Sequence, residues 1–360
     1  MDGCKGLRGG GRSLGVLLAS LLMWGLAGCS PRAPASNAPK PIRLTYSIFF
    51  PAMHIQTRTA MEWAREVETR CGGRVRITVY PFGSLTKPEQ CWQGMLSGIS
   101  DLGMSCFSYT PGRFPLLEAL DLPLGWPDGW TATRVATALA AKYHPAELRG
   151  AKLLYVHAHG PGILATRAPV HRLEDVKNRR IRGTGLSAGL ITLLGATAVG
   201  MPQSETYDAL QKGVVEGTFC PVETLNGWKQ GEVIRAVADT KAIGYTTAMF
   251  VAMNLKTWQS LPPDIQQVFL EVSAEFVDRH GRAWNQADEA GWEFVRSLGR
   301  QVTMLSPEEE ARWRAAVEPV KAEYVKRATA KGLPGAEFLA DAESMIAAEK
   351  ARMAAEAAVP

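Results

Sequence analysis

Two successive blocks of alternating strand and helix signals constrain this chain more than any other feature. In the first, "IRLTYSIF" from Ile42 to Phe49 alternates as a strand, and Phe50-Pro51 ends it. Residues 55–70 carry Ala60, Met61, Trp63, Ala64 and Val67 at helical spacing, with Gly72-Gly73 as the stop. "RVRITVYP" then sets Val75, Ile77 and Val79 on one face of a second strand. Pro88 and Glu89 open another helix, whose first turn tolerates proline, and "ISDLGMSCF" reads as a third strand. A β-α-β-α-β order predicts a parallel sheet with helices on its faces.

The pattern then repeats. "AKLLYVHAHG" and "RRIRG" read as strands, 187–194 as a helix and "TAVGM" as a short strand. Ser204 is the expected N-cap of a helix through Lys212, followed by the strands "GVVEGTFCP" and "TTAMFVAMN". From Pro263 onward the chain reads helical. Ser306-Pro307-Glu308-Glu309 makes a capping box with proline at its first position, and 336–358 forms a final alanine-rich helix. A length of 360 residues exceeds what one hydrophobic core usually serves. The expected class is therefore α/β, two lobes followed by several helices.

The N-terminus stands apart from this fold. Lys5, Arg8 and Arg12 precede an apolar run over 14–27, too short to span a bilayer, which ends in Leu26-Ala27-Gly28-Cys29. That ending looks like a bacterial lipobox, so 1–28 is expected to be a lipoprotein signal peptide cut before Cys29. Acyl chains on Cys29 would anchor the mature protein in a lipid bilayer, at about 0.8 kcal/mol per buried CH2. Residues 29–41, containing "SPRAPASNAPKP", read as a flexible lipidated tether. The expected location is periplasmic, as a membrane-anchored lipoprotein.

Cleavage removes Lys5, Arg8, Arg12 and Asp2, which lowers the net charge from +5 to +3. So mild a charge, without a basic stripe or stacking platform, gives no reason to expect nucleic acid as a partner. Cys71, Cys91, Cys106 and Cys220 remain in an oxidising compartment, where a disulfide is expected. Cys71 at a helix end and Cys91 in the first turn of the next helix are the favoured pair. No Cys-x-x-Cys or Cys/His cluster suggests zinc. His157 and His159 share a strand face but lack a partnering acid cluster, and read as structural or ligand-bonding residues.

"RRIRGTGLSAG", residues 179–189, nearly matches the dinucleotide fingerprint with Gly183, Gly185 and Ala188. The acidic residue that must hold a ribose about 20 positions later is missing, since the nearest, Glu205, lies at the start of the next helix. The alternative is that Arg182, at the carboxyl end of a parallel strand, points into the crevice where such folds bind ligands. Its planar fork suits a carboxylate, and the following helix N-terminus adds donors.

Four stretches decide between these readings. "GGRVRITVYPFGSLTKPEQCWQGMLSGISDLGM", "LEDVKNRRIRGTG", "LGATAVGMPQSETYDALQKGVVEG" and "NLKTWQSLPPDIQQVF" resemble, in this order, segments of the DctP-like substrate-binding proteins of tripartite ATP-independent periplasmic (TRAP) transporters. The resemblance implies a two-lobed periplasmic binding protein fold, with hinge strands and a long helix within 263–301 spanning both lobes. It places 42–160 and 247–278 in the first lobe, 161–246 and 279–335 in the second, and 336–360 in a C-terminal helix. It implies no catalysis and no cofactor. The expected partners are a small organic acid anion and the small and large TRAP membrane subunits, to which the closed form delivers its ligand. Arg182 matches the arginine that bridges the ligand's carboxylate in this family.

Three departures from the commoner family pattern bear on the ligand. Gly162 stands near a second arginine's usual place, Gln203 replaces an aromatic residue, and Cys220 replaces an asparagine. A small acid anion, carboxylate or sulfonate, is expected rather than a large sugar acid. The other ligand-site candidates lie in loops at strand ends: Phe49, Phe50 and His54 after the first strand, Thr86 and Lys87 at the beginning of the second helix, Ser105 and Phe107 after the third strand, Phe219 and Glu223 beside Cys220, and Tyr245 before the returning strand. Trp228 is expected to pack a loop. Two other classes remain open to the sequence, a ligand-sensing receptor subunit of the same fold and an exported enzyme. The enzyme reading lacks a nucleophile elbow, a zinc motif or a paired-carboxylate frame.

Overall fold

The computed structural model describes residues 40–357. The signal peptide, Cys29 and most of the tether lie outside the described residues. Two sheets organise the rest. The first has the order β2 (Val75–Tyr80), β1 (Ile42–Ile48), β3 (Leu102–Cys106), β10 (Ala248–Asn254), β4 (Ala151–Ala158). The second runs β11 (Gln301–Met304), β9 (Ala236–Asp239), β5 (Gly162–Thr166), β8 (Gly217–Pro221), β6 (Arg180–Gly183), β7 (Thr197–Gly200).

Neither sheet is purely parallel, which corrects the expectation from strand and helix order alone. β10 runs against β3 and β4, and β5 against β8 and β9. Each is the strand that has just crossed from the other sheet, β5 after β4 through 159–161 and β10 after β9 through 240–247. Crossing reverses the chain relative to its new neighbours.

The crossovers also explain a failed pairing. α1 (Ile55–Arg70) carries the chain from β1 outward to β2, and α2 (Cys91–Leu96) lies on the way back to β3. Right-handed crossovers taken in opposite directions place their helices on opposite faces. Along β10, Met249, Val251 and Met253 pack with Trp63 and Cys71, whereas Phe250 and Ala252 pack with Cys91, Trp92 and Met95. The sheet separates Cys71 from Cys91, and both are buried free thiols. The expected Cys71–Cys91 disulfide is absent for that reason. Burial pushes the Cys91 thiol up to about 12.

α3 (Gly129–Tyr143), whose weakly patterned "GWTATRVATALAAKY" did not announce itself, is capped by the Asp128 side chain, which accepts the Thr131 N–H at 2.8 Å. α4 (Gly185–Leu193) follows β6, and α5 (Gln203–Gln211) begins one residue before the expected Ser204 cap. α6 (Glu223–Gly227) follows β8, and α7 (Leu255–Ser260) follows β10. α8 (Pro263–Ser297) is 35 residues long, about 52 Å at 1.5 Å per residue. Its Ile265, Phe269, Val272 and Phe276 pack beneath the first sheet, and Val295 joins Ile163, Cys220 and Val237 beneath the second. This is the lobe-spanning helix.

α9 (Pro307–Val317) starts at Ser306 as the capping box predicts, with the Ser306 hydroxyl accepting the Glu309 N–H. α10 (Pro319–Ala330) leads to α11 (Gly335–Ala357), which returns to α3 through a Phe338–Tyr143 ring contact at 4.9 Å. Among the described residues, no helix is long and apolar enough to cross a membrane.

Candidate ligand site between the lobes

"RRIRG" builds the site's one charged anchor. Ile181 is fully buried in the core, and Arg182 leaves the carboxyl end of β6, beside β7 and β8 running the same way. Arg182 is only 4% exposed. Its Nε and Nη2 both donate to the Met201 carbonyl, at 3.1 and 3.0 Å. A guanidinium carries five N–H donors in a fixed fork. Met201 takes the Nε edge, which leaves Nη1 and the second Nη2 proton for another partner, and Arg182 lines a cavity between the lobes. Among the described residues Arg182 forms no ion pair with a carboxylate.

The neighbouring glycines serve packing. A Cβ on Gly183 would lie 2.5 Å from Ile191 Cδ1, and one on Gly185 would lie 2.6 Å from Ser108 of the opposite lobe. Gly185 also has φ +50°, where a side chain is strained. The near-match to a phosphate motif is thus the turn that seats Arg182 against the first lobe.

Of the sequence candidates, Phe49, Phe50, Arg182, Gln203, Phe219, Glu223 and Tyr245 line the cavity together. The other six do not reach it, each for a local reason. Cys220 follows Phe219 on β8 and therefore faces the other way, into the cluster with Val215 and Val237, where the Thr224 hydroxyl donates to its sulfur at 3.1 Å. Ser105 donates to the Pro88 carbonyl at 2.8 Å, and its neighbour Cys106 faces the cavity instead. Phe107 packs in the core with Phe114 and Phe250. Thr86 is hydrogen-bonded to Ser47 at 2.6 Å, and Lys87 is exposed before a short turn over 88–90. His54 lies one layer outside the cavity, stacked on Phe50 at 4.5 Å.

Sequence reasoning missed Tyr109 and Trp284 as lining residues, left His159 as either structural or ligand-bonding, and assigned Trp228 to loop packing although both His159 and Trp228 line the cavity. Tyr109 lies just beyond β3, where a strand-end loop is a signal that could have found it. Trp284 sits on α8 at helical spacing from buried Phe276 and His280, which is indistinguishable from core. His159 donates from Nδ1 to the Gly160 carbonyl at 2.5 Å, so Nε2 is left as an acceptor. Burial lowers its pKa to about 4, and the imidazole is uncharged at neutral pH. Burial likewise pushes the hydroxyls of Tyr109 and Tyr245 well above their ordinary range.

Two contacts join the lobes around the cavity. The Gln203 N–H donates to the Tyr109 hydroxyl at 3.0 Å, which fixes the loop whose Met201 carbonyl orients Arg182. On the other side His54 Nδ1 accepts the Gln56 N–H at 3.2 Å and caps α1, so Nε2 donates to Glu223 Oε2, at 2.7 Å. Both side chains of this second pair are 2% exposed or less. Asp288 of α8 accepts the Glu223 N–H at 3.3 Å. Burial, and then the Glu223 charge, hold the Asp288 carboxyl well above its ordinary value. Among the described residues, no group of three or more His, Cys, Asp or Glu is placed to hold a metal ion.

Comparison with known proteins agrees with this arrangement. Residues 46–327 match the family described as bacterial extracellular solute-binding protein, family 7, DctP. The chain is similar to the C4-dicarboxylate-binding periplasmic protein DctP of Rhodobacter capsulatus, 25% identical over 322 residues, which cover 86% of this chain and 96% of that protein. A TRAP solute-binding protein of Rhodoferax ferrireducens, solved with copurified benzoate, is 25% identical with a TM-score of 0.82, covering 87% of this chain and 99% of that one. One from Desulfovibrio salexigens is 30% identical with a TM-score of 0.75, covering 85% and 95%. TRAP solute-binding proteins bind small organic acid anions outside the cytoplasm and work with membrane permease subunits. By its fold, its interlobe cleft and the extent of the match, the chain belongs to the DctP family of TRAP extracytoplasmic solute-binding proteins.

Proposed function

We propose that this protein captures one small organic acid anion, a carboxylate or a sulfonate, between its lobes and delivers it unchanged to a TRAP permease. The observation that carries this reading is Arg182, a nearly buried guanidinium whose free edge faces a cavity and meets no protein carboxylate. A buried charge without a partner is costly, and an anionic ligand removes that cost. Two N–H donors in one plane receive either head group. The carboxylates named for the similar proteins, C4-dicarboxylates in one and benzoate in another, share this requirement and support the reading.

The first lobe, 42–160 with 247–278, and the second, 161–246 with 279–335, close by rotation about 159–161 and 240–247. The closed form is the one that the membrane subunits recognise. Cys29, lipidated after signal cleavage, tethers the protein to the membrane where those subunits reside.

A thermal-shift screen of small carboxylates and sulfonates tests the binding role. A true ligand stabilises the folded state by RT ln(1 + [L]/Kd), about 2.7 kcal/mol at one hundred times Kd. At least one acid should raise Tm, and mass spectrometry should recover it intact at one equivalent per chain. Conversion of that acid into a product would contradict the proposal.

A further inference from the structure

Gly162 and Tyr245 together decide what else can enter beside Arg182. Gly162 opens β5, and its N–H donates to the Tyr245 carbonyl at 3.0 Å. A Cβ on Gly162 would lie 1.7 Å from Tyr245 Cε1, so any side chain there would displace the ring. The Tyr245 ring in turn stacks on Phe219, with centroids 4.4 Å apart and planes at 25°. The space that a charged side chain at 162 would occupy is therefore filled by an aromatic wall. A second bank stands on the side of the first lobe, where Phe49 and Phe50 lie 4.0 Å apart and Trp228 stacks on Phe49 at 6.0 Å. Both banks and Arg182 line the same cavity.

The charge inventory of the lining points the same way. Arg182 is its one permanent cation, and Glu223, bonded to His54, is its one carboxylate. His159 offers the Nε2 lone pair, because Nδ1 donates to Gly160. A second carboxylate on a ligand would thus find no cation and would approach Glu223 and a lone pair. A short aliphatic acid would pair with Arg182 but leave the ring faces without a partner.

We infer that the ligand is an aromatic monocarboxylate, its head group on the free edge of Arg182 and its ring between the two aromatic banks. A ring hydroxyl, where present, donates to His159 Nε2. Stacked or edge-to-face rings at these separations are favourable beyond the area they bury. Tyr245 is the specificity-determining residue, since it supplies the wall and excludes any side chain at 162. The inference rests on Arg182 being the anion anchor.

Calorimetry on the whole purified chain tests it with benzoate, 3-hydroxybenzoate and phenylacetate against succinate and propionate. At least one aromatic acid should bind tenfold or more tighter than both aliphatic acids. Tyr245→Leu, which keeps an apolar side chain, should lower that affinity about tenfold and reduce the preference over succinate. Succinate or propionate binding as tightly as every aromatic acid overturns the inference, as does the absence of binding by all three aromatic acids. Arg182→Ala separates the two readings. Arg182-dependent binding of succinate alone removes the aromatic inference and keeps the anchor, whereas benzoate binding unaffected by Arg182→Ala removes the anchor.

Discussion

At the scale of single residues, the cleft depends on groups whose neighbours decide their protonation. Asp288 is the clearest case. Its carboxyl sits among Gly160, Glu223 and the crossing segment, and a Cβ on Gly160 would lie 2.0 Å from its Oδ2. Burial and the Glu223 charge raise its pKa well above the ordinary 3.8. In the interval between those values the folded chain holds a proton that the unfolded chain has released. The stability tied to this proton is complete below about pH 4 and is lost as pH rises through the folded value. Asp288→Asn keeps an oxygen for the Glu223 N–H and has no proton to lose. The Tm of Asp288→Asn relative to the unmodified protein should therefore rise from pH 5 to pH 9, and a flat or falling difference would contradict the assigned protonation. Places in the cavity lining were partly legible in the sequence. That of Arg182 was, because its strand-end position coincides with the family resemblance of the stretch around it. Cys220 was not, because its position next to Phe219 fixes contact only once the direction of one of them is known. Gly162 could be seen as a missing arginine, but the ring that fills its place lies 83 positions away in the sequence.

Elements were easier to read than their partners. Period-two strands and a capped, proline-led helix announce themselves locally, and β1, α1, β2, β3, α8 and α9 were all legible. Which sheet receives a strand is not local information, so the reversed β5 and β10 and the separation of Cys71 from Cys91 were out of reach of spacing arguments. The same holds for the interlobe pair. His54 closes the first turn of α1 and also bonds Glu223 at the start of α6, and only the second contact joins the lobes. His54→Asn separates these roles, since asparagine is a strong N-cap and is too short to reach Glu223. Breaking a buried pair by removing one partner costs about 3–5 kcal/mol, a cost that falls on the arrangement in which the lobes meet through His54 and Glu223. The variant should lose at least tenfold in ligand affinity while the Tm of the unliganded protein changes little. Unchanged affinity would show that the pair does not favour closure.

Across the whole molecule, one polarity runs from sequence to function. A repeated α/β block yields two sheets, the exchange of β5 and β10 ties them by two short crossings, and α8 underlies both. The cleft at the strands' carboxyl ends then gathers one guanidinium and a set of rings from segments far apart in the chain. A ligand can favour the closed arrangement only through contacts it makes better there. Tyr109 supplies such a link, because it reaches across the lobes to the loop that orients Arg182. The central claim is that Arg182 holds the anion, and titration calorimetry of Arg182→Ala tests it most directly. With the acid that most stabilises the unmodified protein, the variant should lose affinity by about a hundredfold or more, as expected for a charge-assisted bond of about 3 kcal/mol. Affinity equal to that of the unmodified protein, in a variant that melts normally, would contradict the account.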